Sequence, residues 1–205
     1  MTGVGLTAEQ LPPFDAGPLD LRSWFPQPGA PLELEIGSGK GTFLVQQASK
    51  TPHINYIGLE YAKAFWRYGA DRCRRHGLTN ARLVYVEAGA FLRSYCPDGV
   101  FRQVHVYFPD PWPKARHHKR RLIQTPVYRE IHRVLEPAGL LRIATDHGDY
   151  FAWMREHLAP VAELFEELPF ESPASAGEGE LVGTNFERKY RREGRPFHAM
   201  ILRKR

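Results

Sequence analysis

From position 31 onward the chain alternates short apolar runs with longer segments whose apolar positions recur at helical spacing. LELEI (32–36), NYIGLE (55–60), ARLVYVE (81–87), QVHVYF (103–108) and LLRIATD (140–146) have the length and the aliphatic and aromatic content of buried strands. GTFLVQQASK (41–50) and AKAFWRYGADRCRRHG (62–77) read as helices, the second closed by Gly77 in the C-cap position. Phe65 and Trp66 fall on that helix at core-packing spacing. Thr125 and Pro126 form an N-cap and first-turn pair opening a helix to Leu135, which Pro137 stops. Strands separated by helices imply right-handed crossovers and a doubly wound, Rossmann-like α/β sheet of five parallel strands.

After Asp149 the rhythm changes. A helix over 149–159 precedes VAELFEELPF and, later, FHAMILRKR. Two such strands with no helix between them predict an antiparallel edge pair. The connecting ESPASAGEGELVG (171–183) is rich in Gly, Ser and Glu and predicts a mobile loop. Residues 1–30 are Pro- and Gly-rich and weakly patterned. They read as an N-terminal arm wrapped on a single domain over 31–205.

Composition narrows the class. Apolar content of 42% and charged content of 25% over 205 residues are those of a globular protein with a real core. No apolar run approaches a membrane span, and the first residues lack a basic and apolar leader, so a cytoplasmic location is expected. Cys73 and Cys96 lie outside any CxxC pattern, which predicts reduced thiols and no metal. The net charge of +5 is unevenly spread: residues 112–121 carry five Lys or Arg and no acid, and residues 186–205 carry eight with two Glu. The remainder is therefore net acidic, and two basic segments on an acidic body suit a polyanionic partner.

Candidate chemistry sits at the strand ends. Glu35-Ile-Gly37-Ser-Gly39-Lys-Gly41 lies where the first strand turns into the first helix, so its amides can meet a ligand. A dinucleotide fingerprint fails because position 42 is Thr. A P-loop fails because its first glycine would fall at Leu34 and Glu35 would face a triphosphate. An E-x-G-x-G-x-G loop fits without adjustment. Glu60, Glu87 and Asp146 end the next strands, and Asp110 follows the fourth. Ligands of doubly wound sheets bind at the carboxyl ends of strands, and an acid ending the second strand suits a ribose diol. YFPDPWPKAR (107–116) holds Asp110 and Trp112 among three prolines beside the basic tract, a stiff loop suited to one nucleobase with phosphates nearby.

ELEIGSGKGTFL, YIGLE, FPDPWPKARHHKRR, ATD and TNFE together resemble the bacterial tRNA (guanine-N7)-methyltransferase family from about Leu32 to the C-terminus. The resemblance implies a class I methyltransferase sheet, S-adenosylmethionine as cofactor, and tRNA as partner, with a variable-loop guanine methylated at N7. It places Glu35, Gly37, Gly39, Glu60, Glu87 and Asp110 at the cofactor, with Asp110 catalytic. Lys114, Asp146, Thr184, Asn185, Phe186 and Glu187 would hold the substrate, and Arg116, His117, His118, Lys119, Arg120 and Arg121 would meet the RNA. Glu87 stands where the family usually has Asp. Monomer and homodimer both remain open.

The residues themselves suit this chemistry. Guanine N7 carries an in-plane lone pair and needs no strong base, only in-line positioning and stabilisation of the cationic purine. Asp110 can accept from the guanine edge while facing that charge. Trp112 either stacks on an extruded base or packs in its Pro-rich corner. Thr184 to Glu187 either contacts substrate or forms a capping box. A small-molecule methyltransferase and an inert RNA-binding module are the competing readings.

Overall fold

The computed structural model describes residues 3–205 as one eight-stranded sheet with helices on both faces. The strands are β1 (Gly5–Thr7), β2 (Leu32–Ile36), β3 (Asn55–Glu60), β4 (Ala81–Tyr85), β5 (Phe101–Tyr107), β6 (Leu135–Thr145), β7 (Phe165–Leu168) and β8 (His198–Lys204). The helices are α1 (Thr42–Lys50), α2 (Lys63–Arg75), α3 (Ala88–Tyr95), α4 (Thr125–Val134), α5 (Gly148–Leu158) and α6 (Asn185–Arg192). The strand order is β1-β4-β3-β2-β5-β6-β8-β7. All pairs up to β6 are parallel, and β8 runs antiparallel to both β6 and β7.

The order reverses at β2, whose neighbours are β3 on one side and β5 on the other. That switch point opens the crevice at the carboxyl ends of the strands. Both faces of the sheet are covered: Leu34, Ile36, Leu59, Val84, Val104, Val106, Leu141 and Ile143 belong to one buried cluster and Tyr56, Ala81 and Leu83 to another, while β2 also buries Glu33 and Glu35.

Several expectations need correction. The parallel strands number six, because Gly5–Thr7 pairs with Leu83–Tyr85 at the far edge. Three residues between glycines and a 3-10 turn carry too little periodicity to be read as a strand. The neighbouring Leu21, Trp24 and Phe25 are buried in the main core, so the arm's apolar residues are part of it. Thr125 is not the N-cap of α4; Gln124 is, and the Thr125 hydroxyl donates to the His157 carbonyl. β6 starts at Leu135 and crosses Pro137, but its register against β5 jumps from Leu135–Phe101 to Leu140–Gln103, so Pro137 lies in an irregularity that needs no ladder bond. The helix α6 does intervene between β7 and β8, and they pair nonetheless.

The segment 171–183 is not a free loop. Arg142 donates to the Glu171 carbonyl at 2.6 Å, the Gln47 side chain accepts from the Ser175 amide at 2.9 Å, and Lys50 donates to the Ala174 carbonyl at 3.0 Å. Its composition signals flexibility, but its bonds are long-range and invisible to local pattern.

The α2 terminus behaves as its sequence predicts. Gly77 takes φ +63°, its amide reaches Arg74 and the Leu78 amide reaches Cys73, a Schellman closure. Both cysteines are free and buried.

Candidate active site

The loop after β2 is shaped by one close approach. Gly41 has φ +68°, and a Cβ there would meet the Gly69 Cα at 3.1 Å, while a Cβ on Gly69 would meet Leu83 at 2.7 Å. Two glycines thus let α1 and α2 touch backbone to backbone, which seats the loop 37–41 against β3. There the Gly39 amide donates to Glu60 at 2.7 Å, and the Ala62 amide donates to its other oxygen at 2.7 Å. Glu60 is therefore held rigidly by two amides while its carboxylate lines the crevice. Each oxygen keeps a further acceptor position for a hydroxyl.

Two adjoining hollows share Gly37, Phe65 and Phe186 in their walls. The inner one, about 240 Å³, is lined by Glu35, Ser38, Thr42, Tyr107, Thr184 and Asn185 among others. The outer one, about 300 Å³, is lined by Gly39, Glu60, Glu87, Asp110, Trp112 and Arg120 among others.

Glu35 is the most unusual group in the chain. It is buried, its Oε2 has no hydrogen-bond partner, and the nearby Ser38 hydroxyl is also unpartnered. Burial, with the charge of Glu60 beside it, pushes its carboxyl up to about 8. An unpaired buried carboxylate facing a hollow is costly, and a cationic ligand with N–H donors would relieve it. Beneath it, the His105 ring joins Glu33 and Tyr107, each at 2.9 Å. Burial holds His105 below its usual range despite Glu33.

Glu87 borders the outer hollow, and its carboxylate also caps α3, accepting from the Gly89 and Ala90 amides at 2.8 and 2.7 Å. Its carboxylate thus reaches back onto its own helix. Asp110 is exposed at the mouth of the outer hollow. The loop carrying it runs between two left-handed residues, Phe108 at φ +52° and Trp112 at φ +43°. Such backbone persists only where the surroundings enforce it, as they do at functional sites. Trp112 is half-buried, with the Arg120 guanidinium 5.0 Å over its ring and the His117 ring edge-on at 5.8 Å.

Arg116, Lys119 and Arg120 are exposed on a 3-10 turn, and Lys114 precedes it, also exposed. His117 and His118 are half-buried, the latter edge-on to Trp153. Arg121 departs from the expected RNA contact. It is buried, donates to the Pro111 carbonyl and to Asp149, and lies over the rings of Tyr150 and Trp153. It anchors the proline loop from below because its position, one past the 3-10 turn, points inward.

Glu187 also departs from the expected substrate contact. It is fully buried and accepts from the amides of Leu181, Val182 and Gly183 and from Arg191. Burial works against its charge, but Arg191 and the three amides outweigh it and keep the carboxyl below its ordinary range. Thr184 caps α6 by accepting from the Glu187 amide at 3.0 Å. The T-x-x-E pattern is thus a cap at Thr184, with Glu187 turned to the preceding loop. Asn185 donates to the Thr42 hydroxyl at 2.8 Å, and Phe186 is exposed over the crevice. Asp146 at the end of β6 is paired with Arg195.

Pattern reasoning missed Tyr107, Lys40, Thr42 and Lys189 as wall residues, although Lys40 stands inside the glycine tract and Thr42 directly after it. It also assigned Phe65 to the core, whereas Phe65 is 40% exposed and forms part of both walls. Among the described residues no group of three or more His, Cys, Asp or Glu could hold a metal ion, and no helix is long and apolar enough to cross a membrane.

Comparison with known proteins agrees with this geometry. A family model described as "Putative methyltransferase" matches residues 29–200. The tRNA (guanine-N(7)-)-methyltransferase of Alkalilimnicola ehrlichii is 37% identical over 92% of this chain and 78% of its own length. That of Halorhodospira halophila is 36% identical over 92% and 81%. Among solved structures, a precorrin-6y C5,15-methyltransferase of Geobacter metallireducens superposes with TM-score 0.55 at 13% identity, over 86% of this chain and 80% of that one. A tRNA (m1A58) methyltransferase of Aquifex aeolicus gives 0.52 at 14% identity, over 85% and 62%. These two likenesses show the shared class I methyltransferase fold. With sequence relatives matched along nearly its whole length, the chain belongs to the bacterial tRNA (guanine-N7)-methyltransferase family.

Proposed function

We infer that this protein transfers a methyl group from S-adenosylmethionine to N7 of a guanine in tRNA, in the cytoplasm. The observation that carries the reading is the meeting of three features in one crevice: amide-held Glu60, the proline-fixed Asp110, and Arg120 of the exposed cationic turn. The donor set fits the cofactor. Glu35, with an unpartnered buried oxygen, suits a cationic amino acid moiety, and Glu60 suits a ribose diol. Gly37, Gly39 and Glu87 complete that set. The cofactor supplies an electrophilic methyl on a sulfonium.

The chain's own residues position the acceptor. Asp110 accepts from the N1–H and N2–H₂ edge of guanine, which fixes N7 in line and leaves a negative charge near the developing purinium. No residue is required to remove a proton before attack. Lys114 and Asp146 are assigned to the rest of the nucleotide by the family resemblance, and Thr184, Asn185 and Phe186, which line the inner hollow, are assigned with them. Arg116, Lys119 and Arg120 meet the phosphates, and His117 lies beside them. Tritiated-methyl transfer to bulk tRNA followed by nucleoside analysis tests the reading. Label in 7-methylguanosine is expected; label elsewhere, or none, overturns it.

A further inference from the structure

Exposed aromatic rings are unevenly placed on this molecule. Of the five large hydrophobic side chains exposed among the described residues, Tyr61, Phe65 and Phe186 stand at the crevice and Tyr68 follows Phe65 on α2. The fifth, Phe14, packs against Tyr95 elsewhere. Tyr61, Phe65 and Phe186 border the outer hollow. Tyr68 borders neither hollow and continues the stripe along α2 one turn beyond Phe65. Lys40 joins these rings: its ammonium lies 5.7 Å from the Phe65 centroid and 5.5 Å from that of Tyr68.

Lys189 is exposed on α6 near Phe186, and the acids Glu60, Glu87 and Asp110 line the outer hollow itself, while Arg67 faces Gly3–Gly5 on the other side of α2. Asp71, the only acid of α2, is engaged by Arg74 and Arg75. An apolar patch with Lys40 over two of its rings and Lys189 beside a third does not match an apolar protein surface or an acidic substrate alone. Interleaved rings and cations are what unpaired nucleotides require, because every base has a π-face and every linkage a phosphate.

We propose that Tyr61, Phe65, Tyr68 and Phe186, with Lys40 and Lys189, form a stacking platform for unpaired tRNA nucleotides flanking the methylated guanine. The platform rests on the tRNA reading under Proposed function and extends it. A guanine drawn out of its stack leaves neighbours that lose a stacking partner, and rings beside the crevice replace it. Base-paired arms have no free faces to offer, so the platform selects looped regions over duplex.

Binding of tRNA to the full-length protein, measured across a salt series, tests this with Tyr68→Ala, Phe186→Ala, the double variant and Tyr68→Phe. Removing each stacking ring is expected to weaken binding by roughly 5- to 150-fold. The slope against salt should not change, because every phosphate keeps its cation. Tyr68→Phe should bind like the parent, and Tyr68→Ala should keep its cofactor affinity by calorimetry. A single-stranded oligonucleotide should respond like tRNA and a duplex should not. Parent-like tRNA affinity in the double variant overturns the platform. So does loss of a dimer by sedimentation with RNA affinity intact, which assigns the patch to a second copy. A parent protein that neither binds nor methylates tRNA overturns the tRNA reading itself, a result distinct from both.

Discussion

Arg195 closes a 2.7 Å ion pair on Asp146, the acid at the end of β6. A partly exposed arginine thus occupies the carboxylate that the family resemblance assigns to substrate. If the nucleotide takes that carboxylate, the two must separate on binding. Asp146→Ala is expected to raise the KM for tRNA, with cofactor affinity unchanged. Arg195→Ala should act on the same step, and the double variant should be non-additive, since the residues share one ion pair. Steady-state kinetics on the three variants check this.

Asp110→Ala is expected to lower kcat by about two orders of magnitude or more, the scale of removing one electrostatic partner from a transition state. Cofactor affinity should fall less. Asp110→Asn should be impaired as well, since the amide keeps an acceptor but not the charge. Single-turnover methyl transfer separates this from a binding defect.

Glu35 predicts an unusual pH dependence. In the folded cofactor-free protein its carboxyl keeps its proton up to about pH 8, whereas unfolded it releases it near 4.5. Between these values the unfolded chain binds fewer protons, so stability falls as pH rises across the window. Glu35→Gln should remove this decline and be more stable than the parent at pH 8, by about a few kcal/mol at most. Urea unfolding of both proteins from pH 5 to 9 reads the difference. Cofactor affinity of the parent should rise over the same window, because a cationic ligand favours the ionised carboxylate.

The basic tract divides into two kinds of arginine. Neutralising Arg116, Lys119 and Arg120 should weaken tRNA binding and reduce the log–log salt slope by about 0.7–0.9 for each phosphate left without its cation. Arg121→Ala should instead destabilise the fold by roughly 2–3 kcal/mol, because its guanidinium no longer packs over Tyr150 and Trp153. Thermal unfolding of the two variants distinguishes these effects.

Much of this was legible in the residues. β3 and the regular part of β6 announce themselves by their density of apolar residues and β2 by its Leu-Glu-Leu-Glu-Ile alternation, and the strand-end acids follow from that phase. The burial of Arg121 and Glu187 escapes the sequence for a common reason. A charged residue inside a charged cluster carries no local sign of burial, and both are buried by partners far away in sequence or by amides of a neighbouring loop. Phe65 errs in the opposite direction. Its helical spacing matches that of Trp66, and only the seating of α2 by Gly69 decides which of the two rings turns inward. The strand at Gly5–Thr7 is too short for any pattern and exists because β4 offers it an edge.

That edge has a counterpart at the other end of the sheet. An open sheet leaves two rows of unpaired backbone groups, each able to recruit another chain into a fibre-like stack. Here one boundary strand, β1, is only three residues long, too short to template a partner. The other, β7, carries consecutive carboxylates, Glu166 paired with Arg203 and Glu167 with Arg155. Charge at one border and brevity at the other oppose edge-to-edge aggregation, and leave the faces and the crevice rim as the surfaces through which this protein can meet other molecules.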